Sequence, residues 1–173
     1  MGRRLFKELD RTYGFDEVAI VPGHVTINPD MTSTKMTLGD HSFEIPVLAS
    51  AMDGAVSPQF AALMHQMGGL GVLNAEGLYT RYEDPYSVLE EIISTPQEKI
   101  TQHLQQVYSE PIREDLIGQR VQEIRKSGSV CAVAFTPQNT KRMSPAAVEA
   151  GADLVVVQST VTTARHMSRS YRG

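Results

Sequence analysis

Two short apolar runs separated by one amphipathic helix constrain this chain most. Pro46 to Ser50 reads as a buried strand, and Leu70 to Asn74 as another. Between them, Ser57-Pro58 offers an N-cap followed by a proline at the first helical position. Phe60, Leu63, Met64 and Met67 then fall at i, i+3, i+4 and i+7 on one face. Gly68-Gly69 stops that helix, which gives a βαβ unit with its helix over Ser57 to Met67. Val130 to Phe135 predicts a third buried strand and Leu154 to Val157 a fourth. Near-continuous apolar strands alternating with helices imply an α/β fold with a parallel sheet. Right-handed crossovers allow a barrel or an open doubly wound sheet. A closed (β/α)8 barrel needs about eight strands and typically ~250 residues. On periodicity alone, a small open sheet is the expectation.

The segments between these strands carry helix signals. Ser87-Val88-Leu89-Glu90 and Thr95-Pro96-Gln97-Glu98 match the capping-box pattern, which predicts helices starting at Ser87 and Thr95. Ile100, Leu104 and Val107 continue the second of these. Ile117, Val121 and Ile124 mark a further helix ending near Gly128. Ser144-Pro145 predicts a short helix that stops at Gly151. Upstream, residues 1–14 read as a charged lead-in and Gly14 to Pro46 as extended, loop-rich chain. Within that stretch, Gly39-Asp40 predicts a hairpin turn between Thr32–Leu38 and Ser42–Ile45.

Composition excludes several classes. A net charge of -4 gives no basic face for nucleic acid. No apolar run is long enough to span a membrane. The opening MGRRLFKELD lacks the apolar core of a secretion signal, and Phe6 breaks the myristoylation pattern. One cysteine, Cys131, cannot form an internal disulfide, so a reducing, cytoplasmic location is expected. Cys131 sits inside an apolar run and is read as a core residue. His24, His41, His65, His103 and His166 are scattered without ligand spacing, so no metal site is expected.

Four blocks in order carry a family resemblance. They are YGFDEVAIVPGHVTINPD (Tyr13 to Asp30), EIPVLASAMDGAV (Glu44 to Val56), GGLGVLNAEG (Gly68 to Gly77) and EAGADLVVVQST (Glu149 to Thr160). Together they resemble the IMP dehydrogenase / GMP reductase family. With TRYEDP (Thr80 to Pro85), they look closest to its short bacterial IMP dehydrogenase paralogues, which lack CBS domains. The resemblance overrides the open-sheet expectation. It implies the N-terminal half, about four βα units, of a TIM (β/α)8 barrel over residues 46–173. An extended segment, residues 1–45, would pack on that barrel, with no CBS domain.

The resemblance also implies purine nucleotide chemistry. The family oxidises IMP to XMP with NAD through a cysteine thioimidate. Ser50 and Met52 match its purine-contacting S-x-M, and Asp53 follows them as the residue that holds the turn. Gln158, Ser159 and Thr160 occupy the position near the nicotinamide end of NAD. There Gln158 replaces an acidic residue, and Thr162 replaces a glycine. Asn74 and Glu76, beyond the second barrel strand, would face the active-site end. No G-x-G-x-x-C-x-T-like loop occurs in these residues, so no catalytic residue is assigned and the chain alone is expected to be inactive. GMP reductase, which uses NADPH to deaminate GMP to IMP, is the sibling reading. A non-catalytic half-barrel that self-associates is the other alternative. The expected partners are IMP or a related purine nucleotide, and either a second copy or the complementary half-barrel, with no nucleic acid or membrane.

Overall fold

A computed structural model describes residues 11–159. They fall into two units, residues 11–33 and 34–159. The first is extended except for single 3-10 turns at Phe15–Glu17 and Pro29–Met31. The Gly14 N–H donates to the Glu17 carboxylate at 2.8 Å, and the Thr32 hydroxyl to the Pro29 carbonyl at 2.6 Å.

The second unit opens with a hairpin of β1 (Met36–Leu38) and β2 (His41–Phe43). These strands are antiparallel, with Met36 opposite Phe43 and Leu38 opposite His41. Gly39 sits at a φ of 56°, the left-handed conformation a two-residue turn requires. A parallel sheet follows, made of β3 (Leu48–Ala49), β4 (Leu70–Asn74), β5 (Ala132–Phe135) and β6 (Leu154–Val157). Its strand order is β3-β4-β5-β6, so each new strand is added on the same side. With right-handed crossovers, such a march puts every helix on one face. A doubly wound sheet reverses its strand order and covers both faces. The open-sheet expectation from periodicity is therefore overturned, and the arrangement is part of a barrel wall.

The helices are α1 (Pro58–Gln66), α2 (Pro85–Ser94), α3 (Ile100–Val107), α4 (Glu114–Lys126) and α5 (Pro137–Glu149). α1 packs on β4, and α4 lies against both α1 and α5. A Cβ on Gly71 would fall 2.7 Å from Ala61 Cα, so this glycine–alanine pair lets α1 sit directly on β4. Alternation along the strands builds two apolar layers. Leu73, Val133 and Phe135 face the helices and join Ile117, Val121, Ile124 and Met143. Leu70, Val72, Ala132 and Ala134 face the other way and pack with Phe43, Met36 and Leu38. The hairpin thus covers part of the inner face.

Three helix starts differ from expectation. α2 begins at Pro85, because Asp84 is the N-cap and accepts the Ser87 N–H at 3.2 Å. Thr95 ends α2, donating its hydroxyl to the Glu91 carbonyl at 2.7 Å, and α3 starts only at Ile100. α5 begins at Pro137 after Thr136, and Pro145 lies inside it. β3 is also shorter than Pro46 to Ser50, with two residues in the ladder. The expected lead-in over residues 1–14 falls partly outside the described residues, as does the tail from Thr160. No helix among the described residues is long and apolar enough to cross a membrane.

Candidate functional site

In parallel α/β sheets and barrels, ligands meet the loops at the carboxyl ends of the strands. Here β3 runs into Ser50-Ala51-Met52-Asp53. The Met52 N–H donates to the Ser50 carbonyl at 2.8 Å, and the N–H groups of Ala55 and Val56 both donate to the Met52 carbonyl at 2.9 Å. This tight turn splits its side chains. Ser50 is exposed and Met52 is 57 % exposed, whereas Asp53 is 8 % exposed. The Tyr108 hydroxyl donates to Asp53 Oδ2 at 2.6 Å, and Asn74 Nδ2 donates to Oδ1 at 3.4 Å. Gly77 backs the carboxylate so closely that a Cβ there would lie 1.8 Å from Oδ1.

Glu76, just past β4, spends its carboxylate on a neighbouring helix. It accepts the Thr136 N–H at 2.5 Å, the Thr136 hydroxyl at 2.8 Å and Asn139 Nδ2 at 2.7 Å. Thr136 is the N-cap of α5, so Glu76 supplies half of a capping box from 60 positions away. Its charge also complements the positive end of the helix dipole. Its own N–H donates to Asn74 Oδ1 at 3.1 Å. Asn74 and Glu76 therefore stand at the carboxyl end of the sheet, with both side chains engaged by neighbouring loops.

Arg81 extends this network. Its Nε donates to the Glu76 carbonyl at 3.0 Å, another guanidinium nitrogen reaches the Glu110 carbonyl, and the guanidinium lies 5.8 Å from the centre of the Tyr108 ring. Burial, then the bond to Asp53, pushes the Tyr108 hydroxyl well above the usual phenol range, so it stays a donor. Sequence reasoning did not single out Tyr108, Arg81, Thr136 or Asn139. Thr136-Pro137 carried a readable signal of its own, an N-cap type before a first-turn proline. The turn also borders a cleft of about 480 Å³ walled by Phe60, Tyr79, Tyr86, Leu89 and Ile92.

At the end of β6 the arrangement is looser. The Gln158 N–H donates to the Phe135 carbonyl at 2.8 Å, and the side chains of Gln158 and Ser159 are exposed. Thr160 lies outside the described residues. The Gln158 amide has one acceptor oxygen, whereas a carboxylate can receive both hydroxyls of a ribose. Gln158 thus presents a neutral amide, both donor and acceptor, at this strand end. Cys131 is fully buried at the opposite end of the sheet, preceding β5. Burial, helped by the Asp153 charge, pushes its thiol up to about 12, which removes it as a nucleophile. No group of three or more metal-binding side chains occurs among the described residues.

The comparisons with known proteins agree with this geometry. The model of the IMP dehydrogenase / GMP reductase domain matches residues 12–172. An uncharacterized oxidoreductase of Mycolicibacterium smegmatis is 38% identical over 163 residues, covering 91% of this chain and 44% of the relative. The crystal structure of an IMP dehydrogenase/GMP reductase-like protein from Corynebacterium glutamicum superposes with a TM-score of 0.83 at 33% identity. It covers 91% of this chain and 43% of that one. An inosine-5'-monophosphate dehydrogenase of Korarchaeum cryptofilum is 32% identical over 62 residues, 36% of this chain and 13% of its own length. The chain thus spans less than half the length of these curated relatives.

Proposed function

The chain belongs to the IMP dehydrogenase / GMP reductase family, and from that premise we propose that its Ser50–Asp53 turn binds a purine nucleotide. On this reading residues 46–159 form part of the N-terminal half of an oxidoreductase barrel. The observation that carries it is the division of labour in the turn. Asp53 is buried and held, while Ser50 and Met52 project from the carboxyl end of β3. A serine hydroxyl can donate to or accept from a base or ribose. A methionine thioether gives a polarisable surface for a flat ring. The partial match to inosine-5'-monophosphate dehydrogenase supports IMP as the nucleotide, and oxidation of IMP to XMP as the reaction of the complete barrel.

Within this chain the work is binding and orientation. Thioimidate chemistry needs a reactive thiolate, and buried Cys131 does not supply one. The 173-residue polypeptide should therefore bind IMP without oxidising it. Methyl-labelled methionine in the full chain tests this, with the Met52 signal assigned from Met52→Leu. IMP should move that signal saturably, and no NADH absorbance should develop when NAD is added. A Met52 methyl that stays still at millimolar IMP refutes the binding reading, and steady NADH production refutes the inactive one.

A further inference from the structure

Tyr108 is not part of any strand-end loop. It caps the end of α3, in the long crossover between β4 and β5, 55 positions from Asp53. Both ends of its side chain are nevertheless committed to the carboxyl rim of the sheet. The hydroxyl reaches Asp53 at 2.6 Å, a length typical of a charge-assisted hydrogen bond. The ring lies beneath Arg81, which in turn holds the Glu76 and Glu110 carbonyls. Asp53 has little freedom, since Gly77 leaves room for its carboxylate only by lacking a side chain. Met52, its neighbour in sequence, closes the turn with two accepted N–H bonds. A shift of Asp53 is thus passed directly to Met52. The Tyr108 ring is itself partly exposed, so loss of its hydroxyl alone opens no core cavity.

We propose that Tyr108 is a positioning residue: its hydroxyl, through Asp53, sets the placement of Ser50 and Met52 for the nucleotide. The β4–β5 crossover then tunes recognition at a turn it does not line. This rests on the nucleotide reading above and goes beyond it by naming what holds the turn in place.

The test is Tyr108→Phe in the full chain, with IMP as the probe. The ring and its contact with Arg81 remain, so the chain should still fold, with a melting midpoint lowered by about 3–12 °C for the lost bond to a charged acceptor. The Met52 methyl signal should move in the nucleotide-free protein, and the Kd for IMP should rise about fivefold, the scale of coupling through one intermediate residue. An unchanged Kd together with an unmoved Met52 signal overturns the proposal. If Tyr108→Phe fails to fold, Asp53→Asn carries the same test, because the amide fills the same space beside Gly77 while weakening the Tyr108 bond. It should move Met52 and weaken IMP binding, and no change in either overturns the proposal. Failure of the nucleotide reading is distinct. It shows as absence of IMP binding by the wild-type chain, before any variant is compared.

Discussion

Replacing Gly77 with alanine should destabilise the chain by about 3 kcal/mol, and the reason is confined to one contact. Gly77 has φ -94° and ψ -159°, which an alanine adopts without strain. The added methyl would fall 1.8 Å from Asp53 Oδ1, 2.4 Å from Cγ and 2.5 Å from Oδ2. All three are atoms of one buried carboxylate, so that carboxylate must move. Moving it breaks the bond from Tyr108, worth about 1.5–3 kcal/mol for a charged acceptor. Repacking adds about 1–3 kcal/mol of overpacking strain. The smaller entropy of an unfolded chain with alanine returns about 0.4–1 kcal/mol. Urea unfolding at neutral pH reads the difference as a shift in midpoint at constant slope. The same substitution in an Asp53→Ala background locates its cause. With the carboxylate gone, Gly77→Ala should cost no more than about 0.5 kcal/mol. Equal costs in the two backgrounds would place the clash elsewhere, and a wild-type cost below about 0.5 kcal/mol would show that Asp53 is not pinned.

Two further outcomes concern the opposite end of the sheet. Cys131, buried with its thiol pushed up to about 12, should resist an aromatic disulfide reagent at pH 8 in the folded chain and react fully in urea; fast stoichiometric labelling without denaturant contradicts the burial of this strand end. Burial alone would raise the Asp153 carboxyl, but the Cys131 N–H and the Arg125 guanidinium outweigh it and hold the group below the usual carboxylate range. A depressed folded-state value stabilises the fold above the unfolded value, and that contribution is lost as pH falls through the folded one. The stability gap between wild type and Asp153→Asn should therefore be widest near neutral pH and close as pH falls through the acid range, and a gap that stays constant down to about pH 3 refutes the linkage.

Local signals located most elements but misplaced several of their ends. β4, β6 and α1 coincide with their apolar runs because pattern, cap and stop all agree there. The starts of α2, α3 and α5 did not, because capping patterns compete. Ser87 and Thr95 each head a capping box, yet Asp84-Pro85 starts α2 earlier and Thr95 closes it. At α5, Thr136-Pro137 outcompetes Ser144-Pro145 because Glu76 arrives from the loop after β4 to cap it. The barrel-type strand order was invisible to periodicity and came from resemblance alone. The site divides in the same way. Ser50, Met52 and Asp53 were legible as a strand-end turn, whereas Tyr108, 55 positions from the carboxylate it holds, has no spacing signal.

Exposure is uneven across the inner face of the sheet. In the central strands, Leu70, Val72, Ala132 and Ala134 are buried with the hairpin residue Phe43. At the edges, Leu48 is 45 % exposed on β3 and Val156 is 37 % exposed on β6, where a closed barrel has no free edge. The carboxyl rim does not share this openness on the β3 side. Asp53, Asn74, Glu76 and Thr136 form an unbroken hydrogen-bonded chain that ties the loops after β3, β4 and β5 to one another. Those loops are fixed by contacts within these residues, so the turn that presents Ser50 and Met52 is preorganised whatever adjoins β6. Gln158 is tied to its neighbour through its backbone at Phe135 and presents a neutral amide. The fixed part of the rim thus runs from the turn after β3 to the start of α5.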